Sequence, residues 1–227
     1  MLGGRAPVGA DWRRLVSRKS GGVVSLLADV GVAIVVFAAT NIDDLFVIVA
    51  FLAVPAMRVQ AVVAGQFLGI ATLALASLVA AWLAVAIPHA WIAWLGLVPL
   101  LLGLNVLRAL RGQGRGNAAA AGEVESSRIA AREERGGRRL HSQVLAVAGV
   151  TIANGGDNLG AYIPLFATAF DRVALYAMVF AVMTGVWCLL GHALVRSPVA
   201  GDAVRRAGHF LPPFVLIALG LYILSQP

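Results

Sequence analysis

The sequence predicts an all-α fold, a polytopic membrane protein whose six transmembrane helices are arranged as two inverted three-helix repeats. Three observations support this prediction. Of the 227 residues, 60% are apolar and only 13% are charged, with a mean hydropathy of +0.86, whereas soluble domains carry about 25% charged residues. Six apolar runs alternate with polar segments. A polar motif in the first run also recurs in the fourth.

The apolar runs define six spans, three on each side of a polar loop. A hydrocarbon core about 30 Å thick needs roughly 20 helical residues. The runs are residues 23–54, 61–87, 91–107, 143–170, 173–195 and 210–224. They divide the chain into a basic N-terminal extension (1–22), a first repeat (23–107), an Arg-rich polar loop (108–140) and a second repeat (141–227).

The two halves must enter the membrane with opposite orientations, because each contains an odd number of spans. In the first half Asn41-x-x-Asp44 matches Asn154-x-x-Asp157 in the second half. In transporters built from inverted repeats, the substrate site lies near the membrane midplane between the repeats. The excess of basic residues in the central loop favours a cytoplasmic loop and two external termini.

Four aspartates lie within the apolar runs, where an ionised side chain costs about 2.5–3.5 kcal/mol and marks function by default. Asp29 lies close to the basic N-terminal segment, so we place it at the lipid headgroups. Asp43, Asp44 and Asp157 lie deeper, and the spans contain no basic residue that could neutralise them. A divalent cation or bound protons would offset the repulsion among three buried carboxylates. The sequence therefore predicts a cation site.

Amide side chains beside these carboxylates would complete the site with oxygen donors. The predicted metal ligands are Asp43, Asp44, Asp157, Asn41, Asn154 and Asn158. The glycine pair at 155–156 predicts an interruption of the fourth helix, whose unwound carbonyls would supply further ligands. Oxygen ligands suit hard cations better than soft ones. A weak site made only of oxygen ligands is expected to discriminate poorly among divalent cations.

Composition and motif content argue against several other classes of protein. The pI of about 11.0 is typical of nucleic-acid-binding proteins, but the Arg residues flank apolar spans without interleaved aromatic residues, so we expect no nucleic-acid partner. The single cysteine, Cys188, excludes an internal disulfide and a cysteine-cluster metal site. The first apolar run is too long for a cleaved signal peptide. Because the chain lacks a Gly-x-x-x-x-Gly-Lys-Ser/Thr segment, we expect no ATP hydrolysis.

Two longer segments identify a family by resemblance. They are Ala-Thr-Asn-Ile-Asp-Asp-Leu at 39–45 and Thr-Ile-Ala-Asn-Gly-Gly-Asp-Asn at 151–158, accompanied by Gly-Gln-Phe-Leu-Gly at 65–69. In these segments the chain resembles the CadD-type cadmium resistance transporters of the lysine exporter superfamily. The resemblance implies a multi-pass protein of the bacterial plasma membrane that exports divalent heavy-metal cations, with cadmium as the main substrate. It also implies that Asp43, Asp44 and Asp157 line the cation path.

The expected partners follow from this reading. Moving a doubly charged cation out against a negative interior costs about 4.6 kcal/mol at 100 mV, so we expect exchange for protons carried by the same carboxylates. The expected partners are the divalent cation substrate, protons and the lipid bilayer, and a homo-oligomer is compatible with the sequence. We expect no cofactor, no catalytic residue and no enzymatic activity.

Two alternatives stay open at this point. The first is an exporter of amino acids or other small solutes of the same superfamily, although the spans lack a basic residue to meet an amino-acid carboxylate. The second is an intramembrane aspartyl protease, in which Asp157 would form a carboxylate dyad with either Asp43 or Asp44. Its Gly-x-Gly-Asp motif is only partly matched, because Asn154 replaces the first glycine.

Overall fold

The computed structural model describes residues 10–85, 93–111, 128, 140–197 and 213–225. Most of these residues are helical, and none of them is in a strand. The helices are α1 (Ala10–Thr40), α2 (Ile42–Leu52), α3 (Val59–Val85), α4 (Leu97–Arg111), α5 (Leu140–Asn154), α6 (Gly156–Thr168), α7 (Val173–Arg196) and α8 (Pro213–Leu224). Short 3₁₀ turns, Ala93–Gly96 and Phe170–Arg172, precede α4 and α7. Most of the predicted Arg-rich loop lies outside the described residues.

Two of the six predicted spans are broken helices. The interruption at the glycine pair is confirmed, because α5 ends at Asn154 and α6 begins at Gly156. A second break, which the sequence analysis did not predict, separates α1 from α2 at Asn41, with a bend of 56°. Both breaks are kinks of one residue and not unwound stretches. Backbone bonds cross them, from Leu45 N–H to the Asn41 carbonyl at 3.3 Å and from Leu159 N–H to the Gly155 carbonyl at 3.0 Å.

The helices have the length and composition of a membrane protein. Within the described residues, Val59–Ala84 and Phe170–Arg196 are long and apolar enough to cross a bilayer. The bent pair Ser25–Thr40 and Ile42–Leu52 counts as a third candidate if it forms one span. The apolar helices in α4, α5 and α8 are shorter. Two or three spans are therefore supported by length, and the count of six stays a prediction.

An aromatic core holds the helices of the two halves together. Phe37 of α1, Tyr162 and Phe166 of α6, and Phe180 of α7 are all buried. The ring centroids of Tyr162 and Phe180 lie 4.4 Å apart, and those of Phe37 and Phe180 lie 5.5 Å apart. Aromatic pairs of this kind are worth about 0.5–1.5 kcal/mol beyond their burial. This core lies directly beside the α1–α2 break, because Phe37 precedes Asn41 by one turn.

A close helix contact aligns α3 with α5. A Cβ atom on Gly69 would lie 2.6 Å from the Cβ atom of Thr151, so only glycine permits this approach. Small residues at such interfaces let the backbones of membrane helices come together. The contact places Gln66, one turn before Gly69, opposite the same threonine.

Candidate functional site

Each helix break is followed by a helix that carries aspartate in its first turn. Asn41 has φ −109° and ψ 19°, and Gly155 has φ −75° and ψ 22°, so ψ at both positions lies outside the α-helical range. Asp43 and Asp44 lie in the first turn of α2, and Asp157 lies in the first turn of α6. A helix N-terminus carries partial positive charge and favours a carboxylate there. The breaks thus lower, in part, the cost of holding three acids within apolar surroundings.

The Asn41 side chain joins α1 to α6. It is completely buried, and its Nδ2 donates to the Phe37 carbonyl at 2.9 Å, to Thr40 Oγ1 at 3.0 Å and to Tyr162 Oη at 2.7 Å. Its Oδ1 accepts a hydrogen bond from Asn158 Nδ2 at 3.3 Å. Asn41 and Asn158, two of the predicted ligands, are therefore in direct contact.

A side chain of α7 forms a hydrogen bond with the backbone at the first break. The Asn41 carbonyl accepts a hydrogen bond from Trp187 Nε1 at 2.6 Å. Trp187 and Tyr162 were not among the residues predicted from the sequence. Their polar atoms were the available signal, because a buried tyrosine hydroxyl or tryptophan N–H normally has a hydrogen-bond partner.

Asp44 is the most unusual residue of the site. Its side chain is 0% exposed, and neither carboxylate oxygen has a hydrogen-bond partner among the described residues. The charges of Asp43 and Asp157 act on it unfavourably, and the Gln66 side chain interacts with it favourably without the geometry of a hydrogen bond. Burying an unpaired charge is strongly unfavourable. The position therefore calls for a neutralising proton or cation.

A hydrogen bond between α3 and α5 orients Gln66. Thr151 Oγ1 donates to Gln66 Oε1 at 2.8 Å, and both side chains are buried. Since the amide oxygen is occupied by Thr151, the NH₂ end of Gln66 is the end left to approach Asp44. The interhelical bond accounts for the presence of a polar Gln66 in an apolar helix.

Comparison with protein families supplies the identification. The family model described as cadmium resistance transporter matches residues 37–227. The chain belongs to the cadmium resistance transporter family. The match includes both helix breaks and every predicted ligand, and it leaves out residues 1–36. Searches of curated proteins and of solved structures gave no match.

The remaining predicted ligands of the transporter differ in their surroundings. Asp43 and Asp157 are partly buried and take part in other interactions, one of which is a bond from Asn158 N–H to Asp157 Oδ1 at 3.0 Å. Asn158 is buried, and its Oδ1 has no hydrogen-bond partner in the described part of the chain. Asn154 is partly buried at the end of α5. Unpartnered oxygens thus occur on both α2 and α6.

The aspartates of the transporter do not form a preassembled metal cluster. Within the ranges that the structure describes, no group of three or more His, Cys, Asp or Glu residues is placed to hold a metal ion. Asp29 lies apart from the breaks, because it pairs with Arg172 across a distance of 3.3 Å with both side chains partly exposed. Asp29 is thus neutralised by a partner, in contrast to Asp44.

Proposed function

We propose that this transporter exports divalent heavy-metal cations, with cadmium as the principal substrate, across the bacterial plasma membrane. The observation that carries the proposal is the buried Asp44 carboxylate, whose two oxygens have no hydrogen-bond partner among the described residues. Asp43 and Asp157 add negative charge beside it. A carboxylate in this position gains more from a cation than an exposed one does, because burial makes its unneutralised charge costly.

The proposed cation site consists of oxygen ligands. Its members are Asp43, Asp44, Asp157, Asn41, Asn154 and Asn158. The unpartnered Oδ1 of Asn158 supports a contribution from the amides. Carboxylate and amide oxygens hold a soft ion such as cadmium less tightly than thiolates do. Weak binding suits an exporter, which must release its substrate on the far side of the membrane.

Proton exchange is the proposed energy source. Outward movement of a doubly charged cation against 100 mV costs about 4.6 kcal/mol. When the cation leaves, the buried Asp44 carboxylate again lacks a neutralising charge, and a proton can supply it. Cation and proton then compete for the same carboxylate, which is the basis of an exchange mechanism.

The proposed architecture is six spans in two inverted three-helix repeats. Helix α3 of the first half packs on the broken pair α5–α6 of the second, and α7 of the second half packs on the broken pair α1–α2 of the first. A Leu-Gly-Leu segment in α8 (219–221) also contacts a second Leu-Gly-Leu segment at the start of α4 (95–97). A Cβ atom on Gly96 would lie 2.7 Å from the Gly220 carbonyl oxygen, and one on Gly220 would lie 2.6 Å from the Gly96 carbonyl oxygen. Reciprocal contacts of this kind support a two-fold relation between the halves.

Cadmium uptake by everted membrane vesicles tests the proposal, because export becomes uptake when the membrane is inverted. Vesicles with the wild-type protein should accumulate cadmium, and an acidic interior should accelerate the uptake. Asp157→Asn should abolish it, since the variant loses one of the three carboxylates. Asp29→Asn, a matched change at an aspartate that is paired with Arg172, should retain it.

The failures of this experiment are distinguishable. A rate of cadmium uptake that does not depend on the proton gradient would contradict proton exchange but would not contradict metal export. Uptake of amino acids in place of cadmium would instead favour the solute-exporter alternative. Equal loss in both aspartate variants would contradict the assignment of the site to the helix breaks.

A further inference from the structure

Three side chains of the second half converge on one residue of the first half. Asn158 and Tyr162 of α6 and Trp187 of α7 all form hydrogen bonds with Asn41, at 3.3, 2.7 and 2.6 Å. We propose that Tyr162 and Trp187 are positioning residues of the transport site, which clamp Asn41 and thereby fix the position of Asp44. The inference rests on the proposed function, and it assigns to these two aromatic residues a role in transport.

The Trp187 bond acts on the helix turn that holds Asp44. The carbonyl oxygen of Asn41 receives Trp187 Nε1 and also the N–H of Leu45, the residue after Asp44. The bond from Leu45 is long, at 3.3 Å, whereas the bond from Trp187 is 2.6 Å. The indole N–H therefore provides the stronger restraint on the carbonyl from which the first turn of α2 starts.

The Tyr162 bond acts on the side chain of the same residue. Its hydroxyl accepts a hydrogen bond from Asn41 Nδ2, and the Thr40 side chain also lies within hydrogen-bonding range of it. Both groups flank the bend between α1 and α2. Because Asn41 is completely buried, no solvent is available to replace the hydroxyl. Asn41 Nδ2 shares its two hydrogens among three acceptors, and the other two, the Phe37 carbonyl and Thr40 Oγ1, belong to α1. Loss of the hydroxyl would therefore remove the only one of these three bonds that ties the Asn41 NH₂ group to α6.

Packing alone does not require these two polar atoms. The Tyr162 ring packs on Phe180 with centroids 4.4 Å apart, and the Trp187 ring meets Phe37 edge-on at 5.6 Å. Phenylalanine at either position keeps an aromatic ring and removes only the hydroxyl or the N–H together with part of the indole. Phenylalanine variants therefore separate the clamp from the aromatic core.

The clamp also links the two halves of the protein. Asn41 belongs to the first half, while Asn158, Tyr162 and Trp187 belong to the second. Relative movement of the halves therefore changes the same bonds that position Asp44. A positioning role of this kind affects the concentration at which cadmium saturates transport, since it alters the geometry of the site and leaves the carboxylates in place.

The test measures the initial rate of cadmium uptake by everted vesicles over a range of cadmium concentrations, for Tyr162→Phe and Trp187→Phe. Each variant should raise the half-saturating concentration roughly fivefold to tenfold, as expected for the loss of one buried hydrogen bond. The matched controls are Tyr176→Phe, another buried tyrosine, and Trp82→Phe, whose side chain is 64% exposed. Both controls should leave the half-saturating concentration within about twofold of wild type.

The result that overturns the clamp is a half-saturating concentration in Tyr162→Phe and Trp187→Phe equal to that of their controls. If Tyr162→Phe is not retained in the membrane, Trp187→Phe decides the test against Trp82→Phe. Asp44→Asn is measured in parallel. If Asp44→Asn does not transport cadmium and the two phenylalanine variants behave like their controls, only the clamp is refuted. If Asp44→Asn transports cadmium at the wild-type rate, the proposed function itself is refuted.

Discussion

Replacement of Asp44 by asparagine separates the charge of this side chain from its shape. An ionised aspartate inside a membrane protein costs about 2.5–3.5 kcal/mol, and Asp44 is fully buried without a hydrogen-bond partner for either oxygen in the described residues. A bound cation relieves that cost. Asp44→Asn removes the buried negative charge and with it the attraction between that charge and the cation. Cadmium binding should therefore weaken about a hundredfold. Without cadmium, the variant should be more stable than wild type at a pH where Asp44 is ionised, by less than that cost, because the buried amide of asparagine also lacks hydrogen-bond partners.

Thermal unfolding of the purified protein in detergent, with and without cadmium, measures both effects. At a cadmium concentration 100 times the wild-type Kd, binding stabilises the folded protein by about 2.7 kcal/mol. A variant that binds a hundredfold more weakly gains only about 0.4 kcal/mol at the same concentration. The difference between the two shifts is large enough to measure directly.

Two results would refute this reasoning about Asp44. One is a cadmium shift in Asp44→Asn close to that of wild type, and the other is a lower stability than wild type without cadmium. Asp29→Asn provides the control, because Asp29 has Arg172 as a partner at 3.3 Å and is partly exposed. Loss of the Asp29 carboxylate should change the free energy of unfolding by less than about 1 kcal/mol. The stabilisation by cadmium should be the same as in wild type.

Three further predictions concern the surroundings of the site. Gly69→Ala should destabilise the protein by about 1–3 kcal/mol in thermal unfolding, because its Cβ would lie 2.6 Å from that of Thr151; Gly31→Ala, with nothing within 4 Å, should not. A variant that keeps Trp187 as its only tryptophan should change its fluorescence when cadmium is added, since the indole N–H bonds to the Asn41 carbonyl; an unchanged spectrum at saturation would contradict a site at this break. Manganese and zinc should compete with cadmium uptake, as expected for oxygen ligands, and the absence of competition would point to other ligands.

The helices were predictable from the sequence wherever an apolar run is uniform. The runs 61–87 and 173–195 correspond closely to α3 and α7, and the glycine pair at 155–156 correctly predicts the break before α6. The break at Asn41 was not predicted, because no glycine or proline marks it. Its partners Tyr162 and Trp187 lie more than 100 residues away in the chain. A kink held by tertiary hydrogen bonds leaves little trace in the local sequence.

The site was predictable to the extent that charge is conspicuous in an apolar segment. Asp44 and Asp157 were predicted in this way, and in the structure the charge of Asp157 acts on Asp44; their role as cation ligands stays a prediction. The hydrogen-bond partners of the amides were not predictable. Asn154 and Asn158 are equivalent candidates by composition, but only Asn158 is hydrogen-bonded to Asn41. That distinction depends on which face of α6 meets the α1–α2 break.

The position of the acids at helix N-termini has a consequence for substrate release. Asp43 and Asp44 begin α2, and Asp157 begins α6. A helix N-terminus stabilises a nearby carboxylate by about 0.3–1 kcal/mol and repels a cation by the same field. In the proposed site, the two broken helices would therefore lower the cost of the empty, charged carboxylates and weaken their hold on a bound metal. An unbroken pair of helices would offer the same carboxylates without these two positive ends, so the proposed exporter would release the cation less readily.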